Sequence, residues 1–197
     1  MIVIGLTGSI GMGKSRTASM LKKLGVPVHD SDKAVHTALA PGGAAFEKVA
    51  LTFPDAWDKK RRIIDRKKLG EMVFHDRAAL SRLEKILHPL AQKSQMGFIR
   101  AMRTKGVKIV ALEIPLLFET GADKRVDCVI CVSAPAAIQR RRVMARKGMN
   151  EEKFKRIAAS QMPDAQKRSK SDYIIDTGLG PAHTMRQLKK ALKEISS

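Results

Sequence analysis

Gly8-Ser9-Ile10-Gly11-Met12-Gly13-Lys14-Ser15 fills the pattern G-x-x-x-x-G-K-[ST], and its surroundings give that pattern physical meaning. Before it, Ile2-Val3-Ile4-Gly5-Leu6-Thr7 is a short apolar stretch of strand character. After it, residues 16–24 read as a helix with Ala18, Leu21 and Leu24 on one face. The motif therefore bridges a strand end and a helix start. Its three glycines let the backbone curl so that successive N–H groups point at an anion, and the helix N-terminus adds partial positive charge. In that reading Lys14 reaches the β and γ phosphates of a nucleotide, and the Ser15 hydroxyl ligates Mg²⁺.

Working outward, a second strand is expected over residues 26–29, ending at Asp30-Ser31-Asp32. A long excursion follows. Residues 33–106 contain no convincing buried strand and far exceed the usual two-to-six-residue connections, so they are expected to form a helical insertion. Asp76 can cap a helix in which Leu80, Leu83, Ile86, Leu87 and Leu90 recur at helical spacing, and Pro89 is expected to bend or break it. A further helix over residues 90–105 would stop at Gly106. Lys59-Lys60-Arg61-Arg62 reads as a solvated loop or helix end.

The core resumes with apolar strands over 107–112 and 126–132. A basic helical region covers 136–147, a second helix 151–162, and a short strand 173–175. The last helix starts near Pro181 and repeats Met185, Leu188, Leu192 and Ile195 on one face. Strands alternating with helices, several buried on both faces, predict an α/β fold with a parallel sheet covered on both sides. Ligands in such sheets sit at the carboxyl ends of the strands. The loop, Asp30, Asp32, Glu113 and the end of the fourth strand are therefore expected to face one crevice.

The 197 residues fit one core with an appendage, and 44% apolar with only 4% aromatic residues implies an aliphatic core. No stretch approaches the ~20 apolar residues of a membrane-spanning helix and no basic leader is seen, so a cytoplasmic location is expected. Cys128 and Cys131 lie in C-x-x-C spacing within an apolar strand. Residues three apart on a strand face opposite ways, so both read as core fillers rather than a redox or zinc pair. The formal charge of +19, from 38 Lys and Arg against 19 Asp and Glu, implies anionic partners. One Trp and one Tyr leave little for base stacking, so nucleic acid is not the favoured partner.

A phosphate loop by itself serves an ATPase, a GTPase switch or a kinase. Asp30-Ser31-Asp32 offers an acidic group able to accept a proton from an attacking hydroxyl; a strand-end Asp is otherwise a helix cap. Arg142 and Arg146, four apart, share a face of the basic helix, while Arg140 and Arg141 point elsewhere. Phosphoryl transfer needs such cations because charge spreads over the equatorial oxygens, and a mobile helix can bring them in as a lid over 136–170. A kinase acting on some nucleotide or nucleoside fits these features, and the charge alone suggests a nucleic-acid-binding ATPase.

The order of these motifs resembles the dephospho-coenzyme A kinase family over nearly the whole chain. The likeness rests on Leu6-Thr7-Gly8, Asp30-Ser31-Asp32, His88-Pro89, Pro115-Leu116-Leu117-Phe118-Glu119, the Arg142 and Arg146 pair, Gln161, and residues 172–178. It implies a nucleotide-kinase type of phosphate-loop fold with three layers and a five-stranded parallel core. It implies transfer of the ATP γ-phosphate to the ribose 3′-hydroxyl of dephospho-CoA, with Mg²⁺ and with ATP and dephospho-CoA as small-molecule partners, in a chain for which a monomer is favoured. By the same resemblance, Thr7, Gly8, Gly11, Met12, Gly13, Lys14, Ser15 and Arg16 match the ATP-phosphate site. Asp32 matches the catalytic base, Arg142 a lid arginine beside the phosphates, and Asp30, His88 and Leu116 the substrate side. The helical insertion matches the CoA-binding region. Met12, Arg16, Glu113 and Thr177 depart from the residues common in the family, Glu113 where Asp is usual and Thr177 where Asn is.

Overall fold

The computed structural model describes residues 1–196, without the side chain of His75. In chain order the elements are β1 (Ile2–Thr7), α1 (Lys14–Lys23), β2 (Val28–Asp30), α2 (Ser31–Ala38), α3 (Phe46–Thr52), β3 (Trp57–Asp58), β4 (Ile63–Ile64), α4 (Arg66–His75) and α5 (Arg77–Thr104). There follow β5 (Ile109–Glu113), β6 (Cys128–Ser133), α6 (Ala136–Met144), α7 (Glu151–Ala159), α8 (Asp164–Ser169), β7 (Tyr173–Asp176) and α9 (Pro181–Ser196). The chain divides into two compact units, Met1–His29 with Ala101–Ser197, and Asp30–Arg100.

The first unit holds a five-stranded parallel sheet in the order β2-β5-β1-β6-β7. Register fixes its faces. Ile4 sits beside Ala111 and Cys128, and Leu6 beside Glu113 and Ile130. Ile4, Leu6, Ala111, Ile130, Val132 and Ile175 pack with Ala18, Met20 and Leu21 of α1 and with Leu188 and Ala191 of α9. Full burial of each Ile, Leu, Val or Met among them contributes roughly 1.5–3 kcal/mol. On the other face Gly5 lies against Leu117 and Val126, where an added Cβ would meet their methyl groups at 3.1 Å. The face toward α1 also carries Glu113, because β5 advances by twos from Ile109 through Ala111. Register alone thus brings a carboxylate to the start of α1.

Cys128 and Cys131 are free and point to opposite sides of β6, as strand geometry requires. Burial pushes both thiols up to about 11, which suits fillers and not nucleophiles.

The second unit has an apolar core of its own, with Val49, Phe53, Ala56, Leu69, Leu83 and Ile86 buried together. Asp76 caps α5 as expected, accepting from the N–H groups of Ala78 at 2.7 Å and Ala79 at 3.1 Å. Those backbone donors hold its carboxyl below the usual range. The break at Pro89 and the separate helix over 90–105 are not found: α5 runs for 28 residues through Pro89. Pro89 and Lys85, whose carbonyl loses its helical donor, both lie on the exposed side, while Leu83, Ile86, Leu87 and Leu90 keep the opposite face packed. Gly106 is the stop, at φ +69° with its N–H bonded to the Arg103 carbonyl.

Other boundaries also move. Two-residue strands β3 and β4 pair antiparallel inside the expected helical stretch, and the basic block 59–62 is their exposed connection. Two residues are too few to register as alternation. The basic helix ends at Met144 rather than 147. The next ends at Ala159 rather than 162, and the unexpected α8 begins just after Pro163. Among the described residues no helix is long and apolar enough to cross a membrane.

Candidate active site

The loop between β1 and α1 takes the shape its glycines permit. Gly11 stands at φ +79°, and a Cβ there would come within 2.6 Å of Val143, so both conformation and space exclude a side chain. At Gly8 a Cβ would lie 2.5 Å from a Val132 methyl and 2.7 Å from its carbonyl oxygen. The loop therefore sits directly on the end of β6. Met12 fills the position beside it as a core residue, 3% exposed.

Lys14 opens α1 and its Nζ lies 2.8 Å from Glu113 Oε1, with side chains 12% and 8% exposed. Ser15 Oγ is 3.1 Å from the same oxygen. One contact to Glu113 leaves the ammonium two further donors for phosphate oxygens. A hydroxyl and a carboxylate side by side form a hard oxygen pair of the kind Mg²⁺ takes, and no cluster of three metal-binding side chains exists among the described residues. That combination fits an ion carried in with phosphate oxygens and water rather than a cage of protein ligands.

Arg142 and Arg146 share one cavity of about 300 Å³ with Gly13, Arg16, Thr17 and Thr177. That lies at the small end of ligand pockets. Arg142 donates to Thr177 Oγ1 at 2.8 Å and to the Thr177 carbonyl at 2.7 Å. The Thr177 hydroxyl in turn donates to the Met12 carbonyl at 2.8 Å. Thr177 is thus a hub joining the arginine to the loop. Thr17 Oγ1 is buried with no hydrogen-bond partner, a vacant capacity in the lining of the same cavity. Arg140 faces away, as its spacing predicts, and pairs with Glu151 at 2.8 Å.

The remaining expected residues are distributed as follows. Thr7 is buried, and its hydroxyl donates to the Pro115 carbonyl at 3.2 Å. Leu116 is half-buried, with its carbonyl accepting from the Thr120 hydroxyl at 2.7 Å. Asp30 is both strand end and helix cap, its Oδ1 accepting from the Lys33 N–H at 2.9 Å. Asp32 follows, exposed, in the first turn of α2. His88 is exposed on α5. The first unit thus assembles the loop, Glu113, Arg142 and Arg146, while Asp30, Asp32 and His88 belong to the helical unit.

Sequence reasoning missed Gln139, whose Nε2 donates to the Ile10 carbonyl at 2.8 Å. The signal available was its position three residues before Arg142, on the same side of α6. It also gave no role to Gln161, which accepts from the Ile10 N–H at 2.9 Å, or to Gln95, whose amide donates to Ser31 at 3.0 Å where α2 begins.

A glycine loop between a strand and a helix, a carboxylate on the adjoining strand against its lysine and serine, and arginines over the same cavity define a phosphate-loop kinase. Residues 2–180 match the family described as dephospho-CoA kinase. The chain belongs to the dephospho-CoA kinase family. A dephospho-CoA kinase of Mesorhizobium japonicum is 53% identical over 180 residues, 91% of this chain and 89% of that protein. Among solved structures, a Thermus thermophilus protein superposes with TM-score 0.89 at 33% identity, covering 100% of this chain and 98% of that one. A dephospho-CoA kinase from Campylobacter jejuni gives TM-score 0.71 at 30% identity, over 98% and 96%.

Proposed function

We propose that the ribose 3′-hydroxyl of dephospho-CoA attacks the γ-phosphorus of ATP in line, with Asp32 as the base. The chain is a phosphotransferase of the dephospho-CoA kinase family and makes CoA from dephospho-CoA. In the reaction the O3′–Pγ bond forms, the bond from Pγ to the departing ADP oxygen breaks, and the hydroxyl proton passes to Asp32. Lys14 and the loop amides hold the phosphates. Ser15 and Glu113 would hold Mg²⁺, which when bound neutralises charge on the phosphate oxygens. Arg142 and Arg146 compensate the charge that grows on the equatorial oxygens, carried by a lid over 136–170.

Because the transition state is loose, orientation of the hydroxyl matters more than proton removal. The helical segment 33–106, with Asp30 and His88, receives dephospho-CoA, and Leu116 lines the acceptor side. We take the enzyme to act in the cytoplasm, as a monomer and without nucleic acid. The observation that carries the reading is Glu113 Oε1 within hydrogen-bond distance of both Lys14 Nζ and Ser15 Oγ, the arrangement a loop for a metal-bound nucleotide requires.

The test is incubation with Mg-ATP and dephospho-CoA, AMP or CMP, followed by mass detection. The expected product is dephospho-CoA heavier by one phosphoryl group on the ribose 3′ position. Phosphorylation of AMP or CMP in preference to dephospho-CoA would overturn the assignment.

A further inference from the structure

The two peptide groups that flank Ile10, in the middle of the phosphate loop, are each held by a side chain from outside the loop. Its N–H donates to Gln161 Oε1 at 2.9 Å and its carbonyl accepts from Gln139 Nε2 at 2.8 Å. Gln161 stands two residues beyond the end of α7, its N–H closing a last turn on the Ala158 carbonyl at 3.2 Å. The next residue adds a second tie. Met162 donates its N–H to Glu119 Oε1 at 2.7 Å, and the same oxygen takes the Lys167 ammonium at 2.8 Å.

Lys167 is fully buried, and Glu119 keeps 19% of its side-chain exposure. The second acceptor of Lys167 Nζ is the Pro115 carbonyl at 3.0 Å, which also receives the hydroxyl of Thr7, the last residue before the loop. One buried ammonium thus ties together the strand end that leads into the loop and the segment that grips the loop's middle. Desolvating a lysine costs several kcal/mol, and the pair offers no clear net stability in return.

We propose that Gln161 is a positioning residue for the nucleotide phosphates, and that the Lys167–Glu119 pair is the strut that places it. The bonds to Gln161 and Gln139 hold the two peptides that flank Ile10 in one orientation where the loop turns, a turn closed by the Met12 N–H on the Ser9 carbonyl at 3.1 Å. An anion nest works only when its N–H groups converge before the ligand arrives. The inference rests on the reading of the loop as the ATP-phosphate site.

Three variants test it: Gln161→Leu, Gln161→Glu and Glu119→Gln/Gln161→Leu, with KM for both substrates, ADP affinity by calorimetry, and Tm. Gln161→Leu is expected to raise the KM for ATP and the Kd for ADP about tenfold, with the KM for dephospho-CoA and the Tm little changed. Gln161→Glu keeps an acceptor oxygen at the same reach and is expected to restore most of that loss. The double variant is expected to lose no more ADP affinity than Gln161→Leu, because the strut acts through Gln161. A Gln161→Leu protein with nucleotide affinities within twofold of the parent overturns the proposal, as does one in which Tm falls while those affinities hold. If the parent chain itself bound no ADP, the phosphate-site reading would fall with it; normal turnover alongside an indifferent Gln161→Leu would remove this inference alone.

Discussion

The sheet unit and the helical unit bury different things. Among the described residues, Ser31 and Gln95 are the buried polar ones of Asp30–Arg100, whereas the sheet unit buries Thr7, Thr17, Glu113, Lys167 and Thr177 among others. Each buried polar group costs free energy unless it is bonded, so a unit that carries many is spending stability on geometry. The helical unit is instead organised as an aliphatic and aromatic cluster around Phe53 and Leu83. In the proposed reading the first carries the chemistry and the second receives the acceptor. One exception sharpens the contrast: the proposed base, Asp32, starts a helix of the second unit.

That exception gives the largest expected effect. Asp32→Asn is expected to lower kcat by roughly 10²- to 10⁴-fold while ATP affinity stays near the parent value. Steady-state kinetics with both substrates checks it, and parental turnover would return all the chemistry to the sheet unit. Next, Phe53→Ala empties the centre of the helical core and is expected to cost about 3–5 kcal/mol of stability by denaturant titration. The same variant should raise the KM for dephospho-CoA more than that for ATP; an equal rise in both would dissolve the division of labour.

Within the basic helix, Arg142→Ala is expected to reduce kcat/KM for ATP about 10²-fold. Arg140→Ala, which loses only the solvent-exposed pair with Glu151, is expected to change it less than about twofold. Equal losses would mean that the helix acts through net charge and not through the side that faces the loop.

The smallest effect concerns Cys128 and Cys131. Both folded thiols sit at about 11, above the ordinary value of 9.0, because burial disfavours the thiolate. The unfolded chain therefore loses these protons first, and their contribution to stability is present below about pH 9 and lost as pH rises toward 11. Alkylation at pH 8 should be slow in the native protein and fast after unfolding. Rapid native labelling would show that β6 is more open than its packing implies.

Much of the fold was legible because its signals are local. The glycine loop, the Asp76 cap and the Gly106 stop each depend on a few adjacent residues, and each stands where the sequence puts it. The failures have equally definite causes. Pro89 reads as a breaker in isolation, yet its exposed position lets α5 continue. Strands β3 and β4 are too short for periodicity, and α8 has only six residues. Asp30 was open between ligand and cap on sequence alone, and its carboxylate accepts the Lys33 amide. Of the site itself, the loop and the Arg142 side of α6 could be read from spacing. The partners that orient them could not.

By itself the chain of residues determined a glycine loop and a helix start near the amino end, since backbone curvature and a helix start are consequences of neighbouring side chains and of glycine's freedom. Tertiary structure decided which atoms bond to that loop. Glu113 reaches Lys14 across 99 positions and Gln161 reaches Ile10 across 151. Such contacts follow from strand register and the burial of Lys167, and neither leaves a mark in any short stretch of sequence.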